Sequence, residues 1–145
     1  MNLARWLEAS ARLHPDAPAL LRGTAVVADY KSFAARAAAI GAGLARDFGI
    51  GPGDRVALFM SNATQYLECL YAVWWIGGVV IPINAKLHGR EAAWIMDNAG
   101  ARLVVVDDDS RKALVEVAED LTGMTMLSID SEEFRALQHG EGGAA

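Results

Sequence analysis

From Cys69 to Ala85 the chain runs 17 residues without a charge, and Gly77-Gly78 and Pro82 interrupt that run. A helix that spans a bilayer needs about 20 predominantly apolar residues. The run therefore divides into two buried pieces, the body of a helix from Ala63 to Ile76 and a β-rich strand from Val79 to Ile83. Leu67, Leu70, Tyr71, Val73, Trp74, Trp75 and Ile76 put apolar groups almost all round the helix. That is the pattern of an element covered on several sides. Just upstream, Gly51-Pro52-Gly53-Asp54 reads as a turn and Arg55 to Met60 as a second apolar strand. Two apolar strands joined by one helix, from Gly53 to Asn84, predict a parallel, right-handed crossover. The fold class that follows is α/β, a mostly parallel sheet with flanking helices.

The alternation continues on both sides. Asn2 is placed to cap a first helix to about Leu13, and His14-Pro15-Asp16 ends it, because a residue before proline avoids the α region. Pro18 to Arg22, Gly23-Thr24 and Ala25 to Ala28 read as a short hairpin. Phe33, Ala37, Ile40, Gly41, Leu44 and Phe48 form one stripe of a helix from Tyr30 to Phe48, closed by Gly49. Asn62 is placed to cap the central helix. A helix from Arg90 to Ala99 stops at Gly100, Leu103 to Val106 is a buried strand, and Ser110 to Leu121 is a helix. Met124 to Ile129 is a strand and Ser131 to Gln138 a last helix. Gly140 to Ala145 reads as a disordered small-residue tail.

The 145 residues and the formal net charge of −5 suit one acidic unit, residues 1–138, followed by the tail 139–145. The hydrophobic share of 53% owes much to 27 alanines, which add apolar count but little area. No block of Lys or Arg exists, which argues against nucleic acid as partner. The single Cys69 excludes an internal disulfide and a thiolate metal cage, and it fits a reducing, cytoplasmic location. Arg5 and Glu8 interrupt the N-terminal apolar residues, so no signal-peptide core is legible.

Few residues have the pattern of a reactive site. Asp107-Asp108-Asp109 follows a buried strand, where ligands of parallel sheets bind, and clustered carboxylates there could hold Mg²⁺. The same acids would suit the N-terminus of the next helix. Gly41 and Gly43 have the first spacing of a dinucleotide fingerprint, but Arg46 stands at the third position and the run lies inside a helix. Gly49, Gly51 and Gly53 read as a helix stop and a turn. His14, His88 and His139 are scattered in loops with no nucleophile or ligand spacing. Cys69 sits mid-helix among apolar residues as inert packing, and Trp74-Trp75 suit a core better than a stacking platform. The residues themselves therefore designate no catalytic, cofactor-binding or metal site.

The ordered segments resemble the N-terminal portion of AMP-forming acyl-CoA synthetases, the adenylate-forming ligase superfamily. The resemblance begins at His14-Pro15-Asp16-Ala17-Pro18-Ala19. It is strongest at Gly53-Asp54-Arg55-Val56-Ala57, Asn62 and Gly77-Gly78-Val79-Val80-Ile81-Pro82-Ile83-Asn84, and it continues through Ile95-Met96-Asp97-Asn98-Ala99-Gly100-Ala101. It covers about residues 3–130. These are turn, cap and strand residues, so the likeness rests on scaffold. Asp29-Tyr30 replaces the family's usual Thr-Tyr, and His88-Gly89 stands where Ser or Thr often caps a helix.

The resemblance implies a parent enzyme that joins a carboxylic acid, fatty or aryl, to CoA with ATP and Mg²⁺, through an acyl-adenylate. The family's phosphate loop, nucleotide motifs and catalytic lysine are not legible before Ala145, so the 145-residue chain is expected to be inactive alone. Two other readings stand beside it. One is a free-standing flavodoxin-like module that binds Mg²⁺ or phosphate through Asp107–Asp109. The other is a non-catalytic assembly module, including a homodimer, that uses Trp74, Trp75 and the apolar helix.

Overall fold

The computed structural model describes residues 1–117, 121 and 123–145. The central element is a four-stranded sheet, every pair of which is parallel. Its strands are β3 (Arg55–Phe59), β4 (Val79–Ile83), β5 (Leu103–Val106) and β6 (Thr125–Ser128), and they lie in the order β4-β3-β5-β6. An antiparallel ribbon of β1 (Pro18–Arg22) and β2 (Ala25–Asp29) stands apart from it. The helices are α1 (Ala4–Leu13), α2 (Tyr30–Phe48), α3 (Thr64–Trp75), α4 (Gly89–Ala99), α5 (Asp108–Val115) and α6 (Glu132–Gln138).

Burial explains the strand pattern. All four side chains of β5 are at most 1% exposed, because helices cover both faces of an interior strand. Val56, Leu58, Leu103, Val105 and Leu127 face α2, α3 and α6. Ala57, Phe59, Val104 and Val106 face α4 and α5. Each large apolar side chain so buried contributes about 1.5–3 kcal/mol relative to an exposed one. A third cluster joins α1, the β1–β2 ribbon, α2 and Trp75. β4 is an edge strand, which is why Pro82, lacking an N–H, is tolerated there and why Val79 stays 45% exposed.

The helix ends show which caps were legible. Asp29 accepts the Ser32 N–H at 2.7 Å, so aspartate starts α2 as a threonine would. Gly49 ends that helix at φ 64°, and Gly100 ends α4 at φ 66°. The Glu91 carboxylate accepts the His88 N–H at 3.0 Å, which closes the start of α4 without a Ser or Thr. Asn2 bonds the Ala4 N–H at 2.9 Å, but Leu3 occupies the capping position, so α1 begins later than expected.

Asn62 does not cap α3. Ala63, in extended conformation, takes that position without a side-chain bond, and Asn62 lies exposed one residue too early. The helix expected from Ser110 begins two residues earlier, because Asp107 caps it; part of its expected far end lies outside the described residues. Residues 140–145 carry no helix or strand, and the Trp75 indole N–H donates to the Gly143 carbonyl at 2.8 Å.

The Gly53-Asp54-Arg55 turn is a clasp. The Asp54 carboxylate accepts the Gly51 N–H at 2.8 Å and pairs with Arg102, whose guanidinium also donates to the Gly49 carbonyl at 3.1 Å. The approaches to β3 and β5 are thereby joined at one end of the sheet. The Gly51 N–H, and after it Arg102, hold the Asp54 carboxyl below the usual carboxylate range, against the opposing pull of desolvation.

Candidate functional site

Open parallel sheets place ligands beyond the carboxyl ends of their strands, where the strand order reverses. Here the chain passes from β3 outward to β4, then returns past β3 to β5. The reversal falls between β3 and β5, and Asp107 stands directly after β5. One carboxylate oxygen of Asp107 accepts the Ser61 N–H at 2.8 Å, and the other accepts the Ser110 N–H at 2.9 Å. The side chain therefore ties the loop after β3 to the start of α5 across the switch point. Desolvation pushes its carboxyl up, but the bonds from Ser61 and Ser110 together outweigh that and leave it lowered.

The neighbouring acids turn elsewhere. The Asp108 N–H donates to Asp130 at 3.1 Å, and its carboxylate receives the Ser128 hydroxyl at 3.4 Å. The Asp109 side chain is almost fully exposed, 3.9 Å from Lys112. Among the described residues no three His, Cys, Asp or Glu side chains are grouped to hold a metal ion. The structure thus brings Asp107, Asp108 and Asp109 to one helix N-terminus but not to one centre.

Asp107 makes a prediction about acid. Its folded pKa lies below the unfolded value of about 3.9. Its contribution to stability is therefore complete above pH ~4 and is lost as pH falls through the lower, folded value. Asp107→Asn is expected to flatten the dependence of unfolding free energy on pH below pH ~4, measured by urea titration at stepped pH. An unchanged acid slope would contradict this role.

A cleft of about 480 Å³ opens beside the switch point, between the start of α3 and the end of β4. Met60, Ser61, Asn62 and Tyr66 line one side, and Pro82 to Lys86 line the other. Burial raises the Tyr66 phenol above its usual range. Among the described residues that line this cleft there is no Cys, His, Asp or Glu.

The remaining candidates are separated. His14 follows α1, His88 precedes α4 and His139 follows α6. Cys69 is buried, and desolvation, with the nearby Glu68 carboxylate, pushes its thiol far up. A thiol held protonated in this way is a poor nucleophile. Tyr71 stacks edge-on with both Phe33, at 5.3 Å, and Trp74, at 5.2 Å, so these rings are core.

One charged group was not anticipated. Glu68, in the middle of the apolar helix, is completely buried. Its carboxylate receives Arg36 of α2 at 3.1 Å and the Gln138 amide of α6. The lone acid on an otherwise apolar α3 was the available signal, but its partners lie 32 and 70 residues away. Periodicity carries no information about such a pairing.

Known proteins give this scaffold a family. The AMP-binding enzyme family matches residues 7–144. The crotonobetaine/carnitine–CoA ligase of Salmonella paratyphi B is 37% identical over 79 residues, which are 54% of this chain and 15% of that protein. The chain thus spans a small part of the length of the curated relatives it matches. The N-terminal domain of FACL13 from Mycobacterium tuberculosis superposes with a TM-score of 0.88 at 24% identity, over 100% of this chain and 38% of that one. A Mycobacterium tuberculosis fatty acyl CoA synthetase superposes at 0.86 with 24% identity, over 99% of this chain and 29% of that one. At that identity the two structures speak for the fold alone, which is that of the N-terminal domains of acyl-CoA synthetases. A family match that takes in β1 to α6 rests on the whole scaffold, and the chain belongs to the AMP-binding enzyme family.

Proposed function

We propose that residues 1–138 are the N-terminal α/β subdomain of an ATP-dependent, AMP-forming acyl-CoA synthetase. The observation that carries this is the family match over residues 7–144, on a chain that superposes on the N-terminal domain of FACL13 and on a fatty acyl CoA synthetase. In that reaction a carboxylic acid and ATP form an acyl-adenylate and pyrophosphate, and the thiol of CoA then displaces AMP. The parent takes a fatty or aryl acid, uses Mg²⁺ with its ATP, and works in the cytoplasm. No described helix is long and apolar enough to cross a membrane.

The residues in hand do not fit a Mg²⁺ cradle, because Asp107 is spent on two backbone N–H groups and Asp109 points into solvent. No step of adenylation is therefore assigned to the described residues. Their role is to present the carboxyl ends of β3, β4 and β5 in fixed register. The purified 145-residue chain is expected to give no acid-dependent exchange of pyrophosphate into ATP above the enzyme-free background. Exchange that scales with chain concentration and with added carboxylic acid would overturn this assignment. A homodimer remains part of the proposal, although Trp75, one of the two tryptophans expected to serve it, is only 8% exposed. Sedimentation velocity over a range of concentrations reads it directly.

A further inference from the structure

Trp75 is the last residue of α3 and only 8% exposed. Both ends of the chain reach it. The Asn2 side-chain amide donates to its carbonyl at 3.5 Å, and its own indole N–H donates to the Gly143 carbonyl at 2.8 Å. A buried indole N–H without an acceptor costs free energy, so the Gly143 carbonyl fills a specific need.

Beside it a groove of about 290 Å³ lies between α1 and α2; its lining is partly charged, with Glu8, Arg12 and Lys31, and partly small, with Ala34, Ala35 and Ala38. Small side chains there let another backbone approach closely. Gly142 does so: a Cβ built on it would lie 2.4 Å from the Ala38 carbonyl carbon, 2.5 Å from the Ala38 Cβ and 2.6 Å from the Ala39 nitrogen. Two of these are backbone atoms of a regular helix, which cannot step aside as a flexible side chain would. The adjacent Gly143 differs, since a Cβ there would meet nothing within 4 Å. Ala145 then packs on the cluster formed by α1, the ribbon and α2.

We infer that residues 140–145 are a strap that docks across α2 onto Trp75 and is admitted only because position 142 is glycine. Ala38 and Ala39 of α2 admit a backbone with no side chain at that one position. The strap holds the segment after α6 on the indole of Trp75, the residue whose backbone carbonyl accepts the Asn2 amide, and it does so whether or not the ligase proposal stands.

The two neighbouring glycines make the test. The chain has four tryptophans, and Trp6 and Trp94, 64% and 67% exposed, serve as internal references for free exchange. Exchange of the indole N–H groups is followed in ¹⁵N-labelled protein, together with the heteronuclear NOE of residues 141–144. The Trp75 indole is expected to exchange at least fivefold more slowly than those of Trp6 and Trp94. Gly142→Ala is expected to abolish that protection and lower the NOE of the tail. Gly143→Ala is expected to leave both unchanged. Both substitutions lie outside the helices and the sheet, so the fold stays in place for comparison. Protection that survives Gly142→Ala, equal loss in both variants, or a Trp75 indole as fast as Trp94 would each overturn the strap.

Discussion

Replacing Glu68 with alanine is expected to lower the unfolding free energy by about 3 kcal/mol, and so the Tm by about 6–12 °C for a domain of this size. Breaking a buried ion pair from one side typically costs about 3–5 kcal/mol, because the remaining partner is left uncompensated. Two partners are left here. Arg36 keeps 28% of its side chain exposed and can turn toward water, which places the effect at the lower end of that range. Gln138, also only partly buried, loses the acceptor that holds its amide to α3. Glu68→Gln is expected to cost less, about 1–2 kcal/mol, since it retains one acceptor oxygen while setting an amide against the Gln138 amide. Urea titration of both variants, with Arg36→Ala to complete a double-mutant cycle, measures the pair directly. A coupling below about 0.5 kcal/mol would make Glu68 an ordinary surface-like pair and sink the prediction.

The Glu68 cluster also marks where sequence reading stopped. The crossover from Gly53 to Asn84 was legible because each of its signals is local. A continuous apolar run marks each strand, Gly77-Gly78 reverses the chain, and Pro82 marks an edge. The parallel pairing of β3 with β4, in unbroken register from Arg55–Val79 to Phe59–Ile83, confirms that reading. Helix α2 was legible to both its ends, since Asp29-Tyr30 starts it and Gly49 stops it at φ 64°.

Caps were read less well where two polar residues compete. Asn62 has the chemistry of a cap but stands one position away from it, and spacing along the chain does not resolve a shift of one residue. The carboxylates after β5 were equally ambiguous. Their side-chain directions decide between a metal site and a helix start, and those directions depend on Ser61 and Asp130, which lie in the loops after β3 and β6. Family membership was legible because turns and strand ends, unlike reactive groups, are written into consecutive residues.

The glycines at helix crossings form a second class of long-range constraint, and Gly89 is the strictest of them. It opens α4, and a Cβ there would lie 2.1 Å from the Ala113 carbonyl oxygen and 2.9 Å from the Ala113 carbonyl carbon, both backbone atoms of α5. A Val117 methyl group would lie 3.2 Å from it as well. Relief requires α4 to move away from α5. That movement would open contacts of Ala92, Ala93 and Met96, which are buried against the sheet, with Leu114 of α5 in the same cluster. Gly89→Ala is therefore expected to cost about 3 kcal/mol, at the upper end of overpacking, since a first-turn position gains little from the better helix propensity of alanine.

Gly43 supplies the contrast. A Cβ there would also be close, 2.3 Å from Leu137 Cδ2, but that atom is the tip of a flexible side chain on the short α6. Alanine in the interior of α2 gains up to about 1 kcal/mol over glycine, which offsets much of the cost of turning Leu137. Gly43→Ala is expected to change stability by less than about 1 kcal/mol. Chemical denaturation of the two variants side by side decides the matter. If Gly43→Ala proves as costly as Gly89→Ala, distance alone governs these crossings, and the distinction between backbone and side-chain neighbours fails.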